Sequence, residues 1–299
     1  MPVQLRIWWN LMYAVISSSE NTTPASGVVP LRRWADGVAE VSFAQVEGET
    51  RLRHLYQSDP CRILFPRNTD GAPKEAVIVT TSGGIVGGDR LRFEIAAEAG
   101  CIATVTTQAA EKIYRTAGAN SEIYVTVNAV DCDFLEWVPQ ETILFDGARL
   151  RRRTSLDVSG AARVLAGEIV VFGRRARGET FTYGFLHDEW RVFRDGRLIW
   201  ADALHLSRDI GAALENVHAF DGAAAVATAI YCAPDAVVCL EAARDLISDG
   251  GVSCVDGILV VRMVDRDAAA LRAGFAQFWQ KFRHETAGLP AALPRVWEV

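Results

Sequence analysis

The sequence predicts a mainly β protein, built as packed layers of mostly antiparallel sheet with a C-terminal helix and one shorter helix. Three observations predict it. "SEIYVTVNA" from Ser121 alternates apolar and polar residues with a period of two, which a half-buried strand requires. "EWRVFRDGRLIW" from Glu189 places Asp195-Gly196 between two β-prone runs, and that dipeptide supplies the positive φ angles of a two-residue hairpin turn. A sustained helical period occurs only near the C-terminus, so strand-turn-strand repeats dominate and no βαβ order is visible.

Taken in order, "AVIVTT" from Ala76 is a continuous apolar run, as in a strand buried on both faces. "RLRFEIA" from Arg90 alternates through Leu91, Phe93 and Ile95. Ile102 to Thr106 is the next strand, and in "SEIYVTVNA" Ile123, Val125 and Val127 share one face. Further strands are expected at Phe134 to Trp137, Thr142 to Phe145, Arg152 to Val158, Ile169 to Phe172 and Thr180 to Phe185. After the hairpin, strands follow near Ala223 to Ile230, Val237 to Leu240 and Ile258 to Val264. A short helix fits Glu241 to Ser248. From Asp265 the spacing of Ala270, Leu271, Gly274, Phe275, Phe278, Trp279 and Phe282 is helical, with acidic residues at the start and basic ones near the end.

The chain has 299 residues, half of them hydrophobic and 23% charged, which is enough to bury a substantial core and excludes a disordered chain. The formal net charge is −6, and the one strongly basic run is "RLRRR" (Arg149 to Arg153), read as a solvated strand face. Nucleic-acid binding, which needs many cations on one surface, is therefore not expected. The 6 cysteines form no C-x-x-C pair and read as reduced, mostly buried thiols of a cytoplasmic protein. "RIWWNLMYAVISSSE" loosely imitates a secretory signal, but Asn10 interrupts it and the run is far shorter than the ~20 residues that span a bilayer. No membrane association is expected. Residues 1–28 are set aside as an N-terminal extension, and 29–299 are read as a single domain.

"TTSGGIVGGDRL" (Thr80 to Leu91) raises the question of a phosphate loop. Gly83, Gly84, Gly87 and Gly88 have suitable spacing, but Asp89 stands where a P-loop carries Lys, and a strand follows instead of a helix. The glycines then serve a tight turn, with Asp89 bonding turn amides or facing a partner. "TTQAAEKIYR" is unusually polar between two strands, and Gln108, Glu111, Lys112 and Arg115 form either a buried network or a binding surface. In "LEWVPQETILFDGA", Glu136 lies inside an apolar strand that Pro139 breaks. Gln140 follows, then Glu141 and Asp146. Three carboxylates within one folded-back segment suit acid/base work, a hard cation, or simple turn capping. Glu168 precedes a buried-looking strand in "AGEIVVFGRRARGE", where Arg174 opens a basic turn. Histidines lack metal-ligand spacing, and Cys132 between two aspartates is a thin hint of a soft-metal site.

"GGIVGGDRL", "TTQAAEKIYR", "LEWVPQETILFDGA" and "GEIVVFGRRARGE", in this order, resemble the urease accessory protein D family (UreD, also called UreH). "FTYGF", "RDGRLI" and the closing "PRVWEV" agree, and Ser82 stands where many members carry Pro. The resemblance covers the chain from about Arg32 to its end. It implies a non-enzymatic, mainly β chaperone for nickel insertion that binds apo-urease and accessory protein F, which recruits the GTPase accessory protein G. It also implies an internal nickel passage lined by carboxylates, for which Glu136, Glu141, Asp146 and Glu168 are the candidates. No tightly bound cofactor and no preformed metal site are expected, only transient Ni²⁺, and a homo-oligomer would arise through the complex. Gly83, Gly84, Gly87, Gly88, Asp89, Gln108, Lys112, Arg115, Gln140 and Arg174 are the motif positions expected to serve partner contact or structure. Two other readings stand beside this one: a purely structural adaptor that nickel never enters, and a β-rich hydrolase using Glu136, Glu141 and Asp146.

Overall fold

A computed structural model of the protein describes residues 34–67 and 71–298. The segment 1–28, read as an N-terminal extension, lies outside the described residues. The described chain opens with the hairpin β1 (Asp36–Val46) and β2 (Glu49–Ser58), then β3 (Cys61–Leu64) and β4 (Lys74–Thr80). Next come β5 (Arg90–Ala97), β6 (Ile102–Thr107) and the short β7 (Glu111–Ile113). β8 (Ser121–Val130), β9 (Phe134–Trp137), β10 (Thr142–Leu144), β11 (Arg149–Ser159) and β12 (Val164–Phe172) form the middle of the chain. The hairpin β13 (Phe185–Arg194) and β14 (Arg197–Leu206) follows, then α1 (Ile210–Glu215), β15 (Ala225–Cys232) and α2 (Leu240–Asp245). β16 (Gly250–Val255), β17 (Ile258–Asp265) and the long helix α3 (Ala268–Ala287) complete the fold.

Among the described residues the strands make two sheets. One has seven strands in the order β14-β13-β11-β8-β5-β1-β2; the other has ten, in the order β16-β17-β15-β12-β9-β6-β4-β3, with β10 and β7 set beside β12. From β4 to β13 the chain crosses repeatedly between the sheets, and each return lies parallel to an earlier strand of the same sheet. The mainly β class, the C-terminal helix and the shorter helix agree with the sequence reading. The pairing sense does not: among the described residues nine pairings are parallel and six antiparallel. Apolar-in, polar-out alternation usually marks antiparallel sheet, because parallel sheets are normally covered on both faces. Here the seven-stranded sheet is parallel in its centre yet leaves its outer face to charged rows, such as Arg90 with Glu122 at 2.7 Å and Arg153 with Glu189 at 2.8 Å.

Two further expectations fail. Thr180 to Gly184 is a loop, with β13 starting at Phe185, because Asp146 captures the Thr182 amide at 2.7 Å and diverts it from any ladder. Val237 to Cys239 is a turn leading into α2, closed by Val238 N–H donating to the Asp235 carbonyl at 3.0 Å. One apolar cluster fills the space between the sheets, with Phe43, Ile95, Val127, Leu156 and Val192 from one and Ile78, Val105, Trp137 and Phe172 from the other. A second lies between the outer face of the ten-stranded sheet and α3, which buries Leu271, Phe275, Phe278, Trp279 and Phe282. Each such side chain contributes about 1.5–3 kcal/mol by leaving water. β12 and β15 are therefore covered on both faces and read as continuous apolar runs.

Candidate functional site

The ten-stranded sheet is interrupted at its middle. β12 pairs with β9 from Val164 to Ala166 and then, along the same edge, with β10 from Val170 to Phe172. Between them the chain Val138–Glu141 leaves the ladder, since Pro139 has no N–H to donate. Its polar groups are satisfied locally. Gln140 N–H donates to Thr107 Oγ1 at 2.8 Å, and the Val138 carbonyl accepts from Thr106 Oγ1 at 2.6 Å and Trp297 Nε1 at 3.2 Å. The neighbouring strand breaks at the same level, where Gln108–Ala110 separates β6 from β7 and Glu111 N–H donates to the Glu141 carbonyl at 2.8 Å. Glu168 on β12 sits opposite this break.

Three spaces adjoin at that level. A groove of about 520 Å³ on the α3 side is lined by Gln108, Gln140, Glu141 and Arg272. A cavity of about 30 Å³ between the sheets is lined by Thr107, Glu111, Trp137, Gln140, Thr142, Arg152 and Glu168. A third, of about 10 Å³, is lined by Glu168, Asp188, Asp202 and Arg262. Gln140 borders the first two and Glu168 the last two.

The inner cavity has mainly apolar walls, including Phe93, Ile123, Val125 and Trp137, with a buried ionisable cluster set into them. Arg152 on β11 donates to Asp188 of β13 through Nε at 2.9 Å and Nη2 at 2.6 Å, to Thr142 Oγ1 at 2.9 Å, and lies 2.7 Å from Glu168 Oε2. Glu168 Oε1 accepts from Thr154 Oγ1 at 2.6 Å. Burial holds the Glu168 carboxyl well above the usual carboxylate range, against the pull of Arg152, and Asp188 pushes the same way as burial. Glu111 is pushed up to about 7, first by burial, with a Thr80 hydrogen bond opposing. Two carboxyl groups of the cavity thus exchange their protons far closer to neutrality than exposed ones do.

The four proposed carboxylates do not converge. Glu136 points from β9 to the opposite face of the sheet, towards α3. There it accepts from Trp279 Nε1 at 2.8 Å, Arg283 Nη2 at 2.7 Å and Thr104 Oγ1, and is fully buried. Glu141 pairs with Arg272 of α3 at 2.6 Å on the groove wall. Asp146 caps the loop that follows Gly178, accepting from the Thr182 amide and hydroxyl at 2.7 and 2.9 Å. Only Glu168 lies between the sheets. Gln140 donates to the Val296 carbonyl and accepts from Arg272, both at short range (2.8 and 3.0 Å), which ties the break to the C-terminus.

The glycine turn joins β4 to β5. Asp89 is buried and accepts from Ala35 N–H at 2.7 Å and Val86 N–H at 2.8 Å, so its carboxylate closes the turn. A Cβ on Gly87 would run into the Ala119 carbonyl, and one on Gly88 (φ +98°) into the Trp34 ring. Tyr114 donates to the Gly83 carbonyl at 3.1 Å and meets Phe145 edge-on at 4.9 Å, while the Arg174 guanidinium lies 3.9 Å from the Phe145 ring centre. Gly84 packs against Tyr114 and the Lys112 carbonyl. Arg115 donates to the Asp146 carbonyl at 3.1 Å and covers Tyr183. Motif positions spread over some ninety residues thus gather on one surface, with the Lys112 and Arg115 side chains exposed; Gln108 is exposed at the groove. Cys132 is buried, its thiol pushed up to about 12 by burial, and Asp131 turns away to accept from Ala161 N–H at 2.8 Å, which dissolves the soft-metal hint. Among the described residues no group of three or more His, Cys, Asp or Glu could hold a metal.

Arg152, Asp188 and Trp137 escaped the sequence reading, and Arg152 was taken as part of a solvated face. Strand parity carries the missing signal: Arg152 alternates in phase with Leu150, Thr154 and Leu156, and Asp188 with Leu186, Trp190 and Val192, all buried.

Fold and site together define a two-sheeted β-stack protein with ionisable side chains set into its interior at a break in one sheet. The model of one family, the UreD urease accessory protein, matches residues 35–298. Similar chains include the urease accessory protein UreD of Magnetococcus marinus, 42% identical over 93% of this chain and 96% of the relative. That of Xanthobacter autotrophicus is 42% identical over 89% and 91%, and that of Rhizobium leguminosarum bv. trifolii 39% over 92% and 98%. The chain belongs to the UreD urease accessory protein family. The family is one of accessory proteins, not of enzymes, and the hydrolase reading falls with it. Among the described residues no helix is long and apolar enough to cross a membrane.

Proposed function

We propose that this protein acts in nickel insertion into apo-urease, bridging urease to accessory protein F and the GTPase accessory protein G, and that Ni²⁺ crosses it through the break in the ten-stranded sheet. The observation that carries the route is the adjoining series of spaces, in which Gln140 and Glu168 each border two. Oxygen donors that give up a proton near neutral pH hold a divalent cation weakly and release it, as a conduit must. Arg152 is bidentate on Asp188 and meets Glu168 through a single Nη2–Oε2 contact of 2.7 Å, so Glu168 is the more loosely held of its two carboxylates and the one proposed to meet a cation. Glu136, saturated on the far face of the sheet, and Asp146, engaged in a turn, take no part in the passage. Glu141 stands at its outer mouth.

The test is Glu168→Gln, which keeps shape and leaves Arg152 paired with Asp188. The nickel content of urease matured with this variant falls several-fold, while co-purification with accessory protein F and apo-urease is unchanged. Full nickel content would remove the conduit. The narrowness of the innermost space, about 10 Å³ and scarcely one water's room, favours a second reading, the structural adaptor. In that case Glu168→Gln is neutral, and changes at the exposed Lys112 and Arg115 abolish assembly. Failure to bind either accessory protein F or apo-urease would sink both.

A further inference from the structure

β13 and β14 place His187 directly opposite His205 on the outer face of the seven-stranded sheet, since their neighbours Leu186, Asp188 and Leu206 point inward. The two Nδ1 atoms lie 3.3 Å apart, with ring centres at 5.5 Å and planes 67° apart, so the rings diverge from the point where their nitrogens meet. His205 Nε2 is 3.0 Å from Ser207 Oγ, whereas the carboxylate beside His187 Nε2, Glu189, is 4.0 Å away and beyond hydrogen-bond reach. When the Ser207 hydroxyl accepts from His205 Nε2–H, the His205 Nδ1 is left as a lone pair. With both rings in that tautomer, two lone pairs at this separation repel unless something positive lies between them. One ring can supply its own N–H, with Ser207 then donating to His205 Nε2. A cation is the other solution.

We infer that His187 and His205 form a two-imidazole clamp for a late first-row divalent cation. Two nitrogens at about 2.0–2.1 Å from a tetrahedral ion stand about 3.3 Å apart, which is the separation already present. The roughly 90° angle of a tetragonal ion such as Cu²⁺ needs about 2.9 Å, a closure that small rotations of the two rings supply. Arg151 stands beside His187 across the β11–β13 ladder. On binding, the shared proton moves to His205 Nε2 and the Ser207 hydroxyl turns to accept it. Water fills the two remaining positions. Arg151 opposes the cation, and Glu189 is divided between Arg153 at 2.8 Å and Arg191 at 2.6 Å, so the site is open and exchangeable, not a cage. It lies on the opposite face of the seven-stranded sheet from Glu168 and stands apart from the proposed nickel route.

The test titrates the tag-free full chain with Cu²⁺ alone, the strongest binder expected of such donors, and then with Ni²⁺. One equivalent of Cu²⁺ with a two-nitrogen signature in its paramagnetic resonance spectrum is expected. His187→Ala and His205→Ala each weaken binding at least tenfold and remove one nitrogen from the signature. Ser207→Ala weakens it a few-fold. A two-nitrogen species that survives either histidine substitution, or its absence from the unaltered protein, overturns the clamp. Neither readout depends on urease maturation.

Discussion

Glu136 and Glu168 show how one residue type is put to different use by the face it points to. Glu136 and Arg283 are an enclosed ion pair; Thr104 and Trp279 complete the carboxylate's partners. Removing one member of such a pair strands the other's charge in a dry place. Arg283→Met is expected to cost about 3–5 kcal/mol, read as a lowered urea midpoint at unchanged slope. Glu111 carries a different prediction. Its carboxyl is raised to about 7 from 4.5, so the folded state binds the proton more tightly than the unfolded chain. Its favourable share is complete below about pH 4.5 and is lost as pH rises to about 7. Glu111→Gln is expected to flatten that decline in a series of unfolding curves from pH 5 to pH 8. It should leave the variant more stable at pH 8 by at most about 3 kcal/mol. An unchanged pH profile would contradict the assignment.

Among the elements, α3 was legible in the sequence because its signals are local. Asp267 caps it by accepting from the Ala269 amide at 2.8 Å and the Ala270 amide at 3.4 Å, and the apolar stripe faces the sheet as its spacing requires. Asp267→Ala is expected to cost about 1 kcal/mol, measured by thermal or urea unfolding. The glycine turn was legible as a turn but not as a contact point. Gly88→Ala meets both a positive φ and the Trp34 ring, so it should destabilise by about 2 kcal/mol or more. Ala at the open Gly83 meets only the φ penalty and should cost less. The break in the ten-stranded sheet was half legible: Pro139 announced an interrupted strand, but nothing local placed Gln108–Ala110 beside it or Glu168 across from it.

On the scale of the molecule, the seven-stranded sheet ends in β2, an edge strand exposed over most of its length and carrying Leu52, Leu55 and Tyr56 at 40–50% exposure. Such an edge offers unpaired backbone groups beside apolar side chains. Tyr56→Lys is expected to reduce self-association of the isolated chain, seen as a lower weight-average mass in sedimentation at equal concentration. By itself the sequence determined the mainly β class, most of the strands from β4 onward, the long helix and the family, because periodicity, turn chemistry and ordered motifs are written along the chain. It left β1 to β3 and β16 unread and took the inward-pointing Arg152 for a surface residue. Only the tertiary structure decided that the stack is mostly parallel, that Glu136 and Glu168 face opposite ways, and that His187 meets His205. The physical reason is that a period of two is the same whichever way the neighbouring strand runs. Which strand becomes the neighbour is settled by how distant coils stack to bury their apolar faces together.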